Sequence, residues 1–186
     1  MVKIGILSRI ELIGKGYDVL IQAIKCLKKD GYNVQLIVGG DEGEINLLKS
    51  IVDKENLTAD VVFKGWILDK ESFFNNIDIF CMPSTHETFG LSYLEAMKYS
   101  IPCIASDTDG ALEIFTDNVD GIIIKKDKDK KIISKSIVNA VKNLIDNEDY
   151  RINIAQSGYN RAKDFDVLII SKKIKMILKE ELSMRS

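Results

Sequence analysis

The chain has 186 residues and a formal charge of −2, from 26 basic and 28 acidic side chains. That balance excludes a nucleic-acid binder driven by phosphate neutralisation, and the uninterrupted apolar runs are far too short to span a bilayer. The length suits one domain with a substantial buried core.

In chain order, Met1-Val2-Lys3 leads directly into an apolar strand over Ile4 to Leu7. This start shows no secretory signal, so the expected compartment is the cytoplasm. A loop carrying Arg9, Gly14, Lys15 and Gly16 follows, then Val19, Leu20, Ala23, Ile24 and Leu27 repeat at helical spacing. A strand over Val34 to Val38 ends at Gly39-Gly40, and Leu47, Leu48, Ile51 and Val52 predict a second helix. Further strands are predicted at Val61 to Phe63, Ile77 to Met82, Cys103 to Ala105 and Gly121 to Ile124, with Pro83 and Pro102 at strand edges. After the charged loop Lys125 to Lys131, helices are predicted from Ile132 to Ile145, from Glu148 to Ala162 and from Val167 to Leu182. This βαβ alternation predicts an α/β fold: a Rossmann-like parallel sheet with helices on both faces. Neither an internal repeat nor a linker divides it, so residues 1–186 read as a single domain.

Cys26, Cys81 and Cys103 are odd in number and lie in apolar contexts, so they read as buried thiols of a reducing compartment. His86 is the sole histidine and cannot complete a metal cluster with such scattered cysteines.

The richest stretch is Pro83 to Met97, which follows the fourth strand. It holds Glu87, a turn at Thr88-Phe89-Gly90, and a helix start that places Glu95 about one turn inside. The first N–H groups of a helix have no intrahelical partner, so a strand, a glycine turn and a helix N-terminus make an anion site. Two carboxylates beside it accept hydroxyl protons, and the carboxyl end of a strand is where open α/β sheets bind ligands. Phosphate plus polyol is what a nucleotide sugar presents. Arg9 and Lys15, after the first strand, supply two cations to clamp a diphosphate.

This stretch resembles the E-x7-E signature of the retaining glycosyltransferases of the GT-B fold, the group 4 family. Other matching stretches are Ser8 to Gly16, Leu36 to Glu44, Val61 to Ile67, Ser100 to Ile114 and Asp120 to Ile124, in the family's order. The resemblance implies that the chain is the C-terminal, donor-binding domain of such an enzyme. It would transfer a hexose from a nucleoside-diphosphate sugar to an acceptor with retained configuration. Carried over position by position, Arg9 and Lys15 stabilise the departing diphosphate, with Gly14 in the same loop, and Glu87 contacts hydroxyls of the transferred sugar. The backbone of Thr88, Phe89, Gly90 and Leu91 holds sugar and diphosphate, and Glu95 binds the ribose. The stretch from Lys64 to Ile67 flanks the base, with Trp66 either stacking on it or merely packing. Gly39 and Gly40 permit close backbone approach to the donor, or simply form the turn after a strand.

No cofactor or metal is implied, since the nucleotide sugar is a substrate and the cations already face its phosphates. Asp107-Thr108-Asp109 spells a D-x-D metal motif only superficially, because it follows a strand in a GT-B-like order. The acceptor, a carbohydrate or lipid-linked molecule, would be bound by an N-terminal domain that this sequence does not match. The donor half alone would then be inactive. The segment from about residue 148 to 184 would pack on that other domain through Ile169, Ile170, Ile174, Ile177 and Leu178, or else on its own domain. Many relatives work at the cytoplasmic membrane face, which adds peripheral membrane association to the expectation. Two departures stand out: Ser100 where the family usually has glycine, and Asp109-Gly110 where it has paired glycines. A nucleotide-sugar epimerase of related fold and a noncatalytic binding or interaction module are the alternatives.

Overall fold

The apolar runs pair into one six-stranded sheet, seen in a computed structural model that describes residues 1–41 and 43–184. Its strands are β1 (Val2–Leu7), β2 (Val34–Gly39), β3 (Val61–Gly65), β4 (Ile79–Met82), β5 (Cys103–Ser106) and β6 (Ile122–Ile124). All pairings are parallel, in the order β3-β2-β1-β4-β5-β6. β4 and β5 are buried along their whole length, as strands covered on both faces must be.

Between the strands run α1 (Tyr17–Lys29), α2 (Ile45–Lys54), α3 (Lys70–Phe74), α4 (Leu91–Lys98) and α5 (Asp109–Ile114). Three longer helices follow, α6 (Lys130–Asp146), α7 (Glu148–Lys163) and α8 (Val167–Met184). The chain leaves β1 toward β2 in one direction and β4 toward β5 in the other, so crossovers of one hand put α1 and α4 on opposite faces. On one face α6 packs against α1, where Ser134 Oγ donates to the Val19 carbonyl at 2.9 Å. On the other, α7 packs against α4.

Every strand and long helix expected from the sequence is present, with ends shifted by a few residues. The fourth strand begins at Ile79 rather than Ile77. Ahead of it, Asp78 is occupied with Lys3, exchanging backbone and carboxylate hydrogen bonds. α3 and α5 were not anticipated, being too short to show a period. Each is nucleated by a side-chain cap: Asp69 accepts from Ser72 N–H at 3.0 Å, and Thr108 from Ala111 N–H at 3.3 Å. Within the D-x-D triplet, Thr108 caps α5 and Asp107 Oδ1 accepts from Lys126 N–H at 2.8 Å.

One expectation is corrected. Cys81 and Cys103 are buried, and burial pushes their thiols up, but Cys26 is exposed. On α1 it falls on the solvent face with Gln22, Lys25 and Lys29, although its sequence neighbours Ile24 and Leu27 are core. Ser100 stands in the left-handed region at φ 55°, the conformation that a glycine there would adopt freely. On β3, Val38 of β2 faces Phe63 and Gly39 faces Gly65, so Lys64 is an unpaired extra residue. This bulge ends with Gly65 at φ 66° and turns the chain toward Trp66. On α8, Ile169, Ile170, Ile174, Ile177 and Leu178 are exposed. Among the described residues no helix is long and apolar enough to cross a membrane.

Candidate functional site

The strand order reverses between β1 and β4, and the two loops that leave these strands at their carboxyl ends meet there. Glycine makes the meeting close. Gly16 has φ 74°, and a side chain on it would place Cβ 2.2 Å from the Pro83 carbonyl oxygen. Thr85 N–H donates to the Gly14 carbonyl at 3.1 Å. The result is direct contact between two residues 72 positions apart: Lys15 Nζ lies 2.8 Å from Glu87 Oε2. Their side chains are 22% and 14% exposed.

The turn that carries Glu87 is wedged from behind. Gly110 N–H donates to the Glu87 carbonyl at 3.0 Å, and a Cβ on Gly110 would come within 2.6 Å of Phe89 N. Gly90 takes φ 91° to open α4. That helix start is anchored twice: Ser92 Oγ donates to the Leu7 carbonyl at 2.9 Å, and Tyr93 OH to the Met82 carbonyl at 2.6 Å. The α4 N-terminus, with its unpaired N–H groups, is thus fixed at the junction of β1 and β4. Ser8 Oγ and Tyr17 OH lie 3.0 Å apart beside it, and burial pushes the Tyr17 phenol up to about 12.

Next to this junction a cavity of about 250 Å³ has Arg9, Gly40, Trp66, Ile67, Lys70 and Glu95 among its walls. Glu95 Oε1 is paired with Lys70 Nζ, their side chains 28% and 51% exposed. Arg9 is 65% exposed, with Glu11 3.9 Å away. A larger hollow, of about 730 Å³, lies between α1 and α6 and includes none of these residues.

The structure thus gathers the expected residues into two adjoining groups. Lys15 and Glu87 touch, with Gly14 and Thr88 to Leu91 around them, while Arg9, Gly40, Ile67 and Glu95 share the cavity. Two expected residues, and the side chain of a third, stand apart. Gly39 is set among the side chains of Leu7, Ile67 and Phe73, where a Cβ would come within 2.8–3.0 Å, so its smallness serves packing. Lys64 is exposed on the bulge and borders a separate hollow. The Phe89 ring packs edge-on against Phe165 at 5.9 Å, leaving its backbone as the part facing the site. Lys70 and Ser92 were missed. Ser92 is a serine in a helix's first turn, a readable signal, whereas nothing in the sequence joins Lys70 to Glu95.

The α4 start, Lys15 and Arg9 lie around the switch point of the sheet, an arrangement suited to an anion. The Glu87 and Glu95 carboxylates, each paired with a lysine, are acceptors of the kind that suits hydroxyl donors. Comparison with known proteins agrees: the sequence model of the family described as Glycosyl transferases group 1 matches residues 3–161. The chain belongs to that family. A relative, the capsular polysaccharide biosynthesis glycosyltransferase CapM of Staphylococcus aureus, is 31% identical over 165 residues, which is 87% of this chain and 41% of the relative. Among solved structures, HepE of Anabaena, in complex with UDP and glucose, superposes with a TM-score of 0.84 at 26% identity, over 95% of this chain and 48% of that one. The C-terminal domain of the group 1 protein LpcC of Francisella tularensis superposes at 0.75 with 28% identity, over 89% and 87%. The chain therefore spans less than half the length of CapM and of HepE and most of the LpcC C-terminal domain. The Rossmann-like sheet expected of a GT-B C-terminal domain is the sheet found.

Proposed function

We propose that this chain is the donor-binding half of a retaining glycosyltransferase that takes a nucleoside-diphosphate sugar, and that it acts in the assembly of a surface polysaccharide. The observation that carries this reading is the contact of Lys15 with Glu87 at the sheet's switch point, beside the α4 N-terminus. The complex of HepE with UDP and glucose supports a UDP-sugar as the donor class.

Diphosphate binding draws Lys15 onto the phosphates together with Arg9 and frees Glu87 for hydroxyls of the sugar. A hydrogen bond to a charged group contributes about 1.5–3 kcal/mol, against about 0.3–1 for a helix N-terminus. The two cations therefore outweigh the helix start in stabilising the departing diphosphate, and no metal is required. Thr88 to Leu91 hold the sugar and diphosphate through their backbone, Glu95 takes the ribose, and Ile67 with Trp66 borders the base. The acceptor, a carbohydrate or lipid-linked molecule at a membrane face, is bound by a second domain that covers the α8 stripe. The chain alone turns over negligibly.

Thermal unfolding with UDP, GDP, ADP and their nucleosides tests this. A ligand at 100 times its dissociation constant adds about 2.7 kcal/mol, a midpoint shift of several degrees. The expected result is a shift with one diphosphate, none with its nucleoside, and loss of the shift in Arg9→Ala. If no diphosphate moves the midpoint, the donor site is refuted; rapid sugar transfer by the purified chain would refute the division of labour.

A further inference from the structure

The cavity wall includes a lysine that stands apart from the diphosphate-facing cations. Lys70 opens α3, and its ammonium bridges to Glu95 on the second turn of α4. Both ends of the bridge stand on seated elements. α3 is held by Phe73 and Phe74, which are buried in the core, and α4 by the anchors of Ser92 and Tyr93 on β1 and β4. Among the described residues Lys70 is the one side chain bonded to the Glu95 carboxylate.

A pair this exposed adds little to folding stability, because water screens it and two long side chains must be ordered. Its effect is on the glutamate. A free glutamate has three rotatable bonds and loses rotamer freedom when it binds a ligand. With Oε1 engaged by Lys70, that freedom is already restricted and Oε2 is left for the cavity. An ionised carboxylate only accepts, so what suits it is a donor of hydroxyl protons. A ribose offers a vicinal pair of hydroxyls, and a 2′-deoxyribose offers one.

We propose that Lys70 is a positioning residue that holds Glu95 toward a vicinal diol, so that the site selects ribonucleoside diphosphates over their 2′-deoxy counterparts. This rests on the donor-site reading above. The magnitude follows from the bonds at issue: a hydroxyl bonded to a charged acceptor changes affinity about ten- to hundred-fold, and the partly open setting of Glu95 puts this site at the lower end. Pre-orientation is the mechanism, so removing Lys70 lowers the discrimination without touching the phosphate subsite.

The test is calorimetric titration of the wild type, Lys70→Met and Lys70→Arg with UDP and dUDP, GDP and dGDP, ADP and dADP, and inorganic pyrophosphate. The wild type should prefer the ribonucleotide of its accepted base about ten-fold. Lys70→Met should bring that ratio toward one and leave pyrophosphate binding unchanged, and Lys70→Arg should restore most of the preference. A ratio that survives Lys70→Met overturns the proposal and leaves the donor site standing. Equal weakening of pyrophosphate and nucleotide also overturns it, making Lys70 a phosphate ligand. If none of the six nucleotides binds the wild type, the donor reading and this proposal fall together.

Discussion

Two lysine–glutamate pairs sit at the carboxyl edge of this sheet, and they are built differently. Lys15 and Glu87 are largely enclosed, on loops whose backbones touch through Gly14 and Gly16, the second loop braced from behind by Gly110 of α5. Lys70, at the start of α3, and Glu95, on the second turn of α4, are more open, and only side chains span the gap. The inner pair is placed by backbone contacts that no larger residue could make, so its geometry is stiff and its tolerance small. The outer pair is placed by rotamers and can be retuned one side chain at a time. On the function proposed above, transfer chemistry would belong with the first arrangement and selection among donors with the second.

The sharpest way to break this contrast is at Gly16. A methyl group there meets the Pro83 carbonyl in a left-handed backbone; strain and overpacking together should cost Gly16→Ala about 2–5 kcal/mol. Denaturant unfolding would show this, and a loss below about 1 kcal/mol would mean that the two loops are not locked.

Tyr17 probes the same region by pH. Burial raises its phenol to about 12, above the value of about 10 expected in the unfolded chain. The folded state therefore keeps a proton that the unfolded state loses. Its stabilisation is whole below pH 10 and disappears as pH rises toward 12, a change of about 3 kcal/mol. Urea midpoints at pH 9 and pH 11.5 should diverge less in Tyr17→Phe than in the wild type. An identical divergence would remove Tyr17 from the account.

Lys15→Ala should weaken pyrophosphate binding about ten- to hundred-fold, the worth of one charge-assisted contact, where Lys70→Met leaves it unchanged. Equal losses in the two variants would erase the distinction between inner and outer pairs. The smallest effect is expected at Ser100, behind α4 and away from both. Ser100→Gly relieves a left-handed serine and should add about 0.5–1 kcal/mol after the entropy of the extra glycine is subtracted. Nucleotide affinity should stay level; a change would show that strain behind α4 reaches the site.

Much of this was legible in the chain itself. Strands and long helices declared themselves through period, and the departure at Ser100 marked the turn where a left-handed residue indeed sits. α3 and α5 were illegible because five or six residues cannot display a 3.6-residue repeat. Cys26 misled because Ile24 and Leu27 are core, while the helix rotates position 26 outward. The nearness of Lys15 to Glu87 came only through family resemblance, since 72 residues intervene. The Lys70–Glu95 bridge left no trace at all, for a lysine at a helix start is ordinary until the fold sets a carboxylate opposite.

The bulge at Lys64 has a consequence beyond the cavity. β3 is an outer strand of the sheet, and a straight outer strand offers a row of free N–H and C=O groups to any other chain. An unpaired lysine followed by a left-handed glycine breaks that row and sets a charge upon it. At the opposite border β6 runs for only three residues. The irregularity that aims Trp66 at the cavity also makes this border a poor template for polymerisation. A substitution that straightened it, to redesign base recognition, would invite fibres as well as alter the pocket.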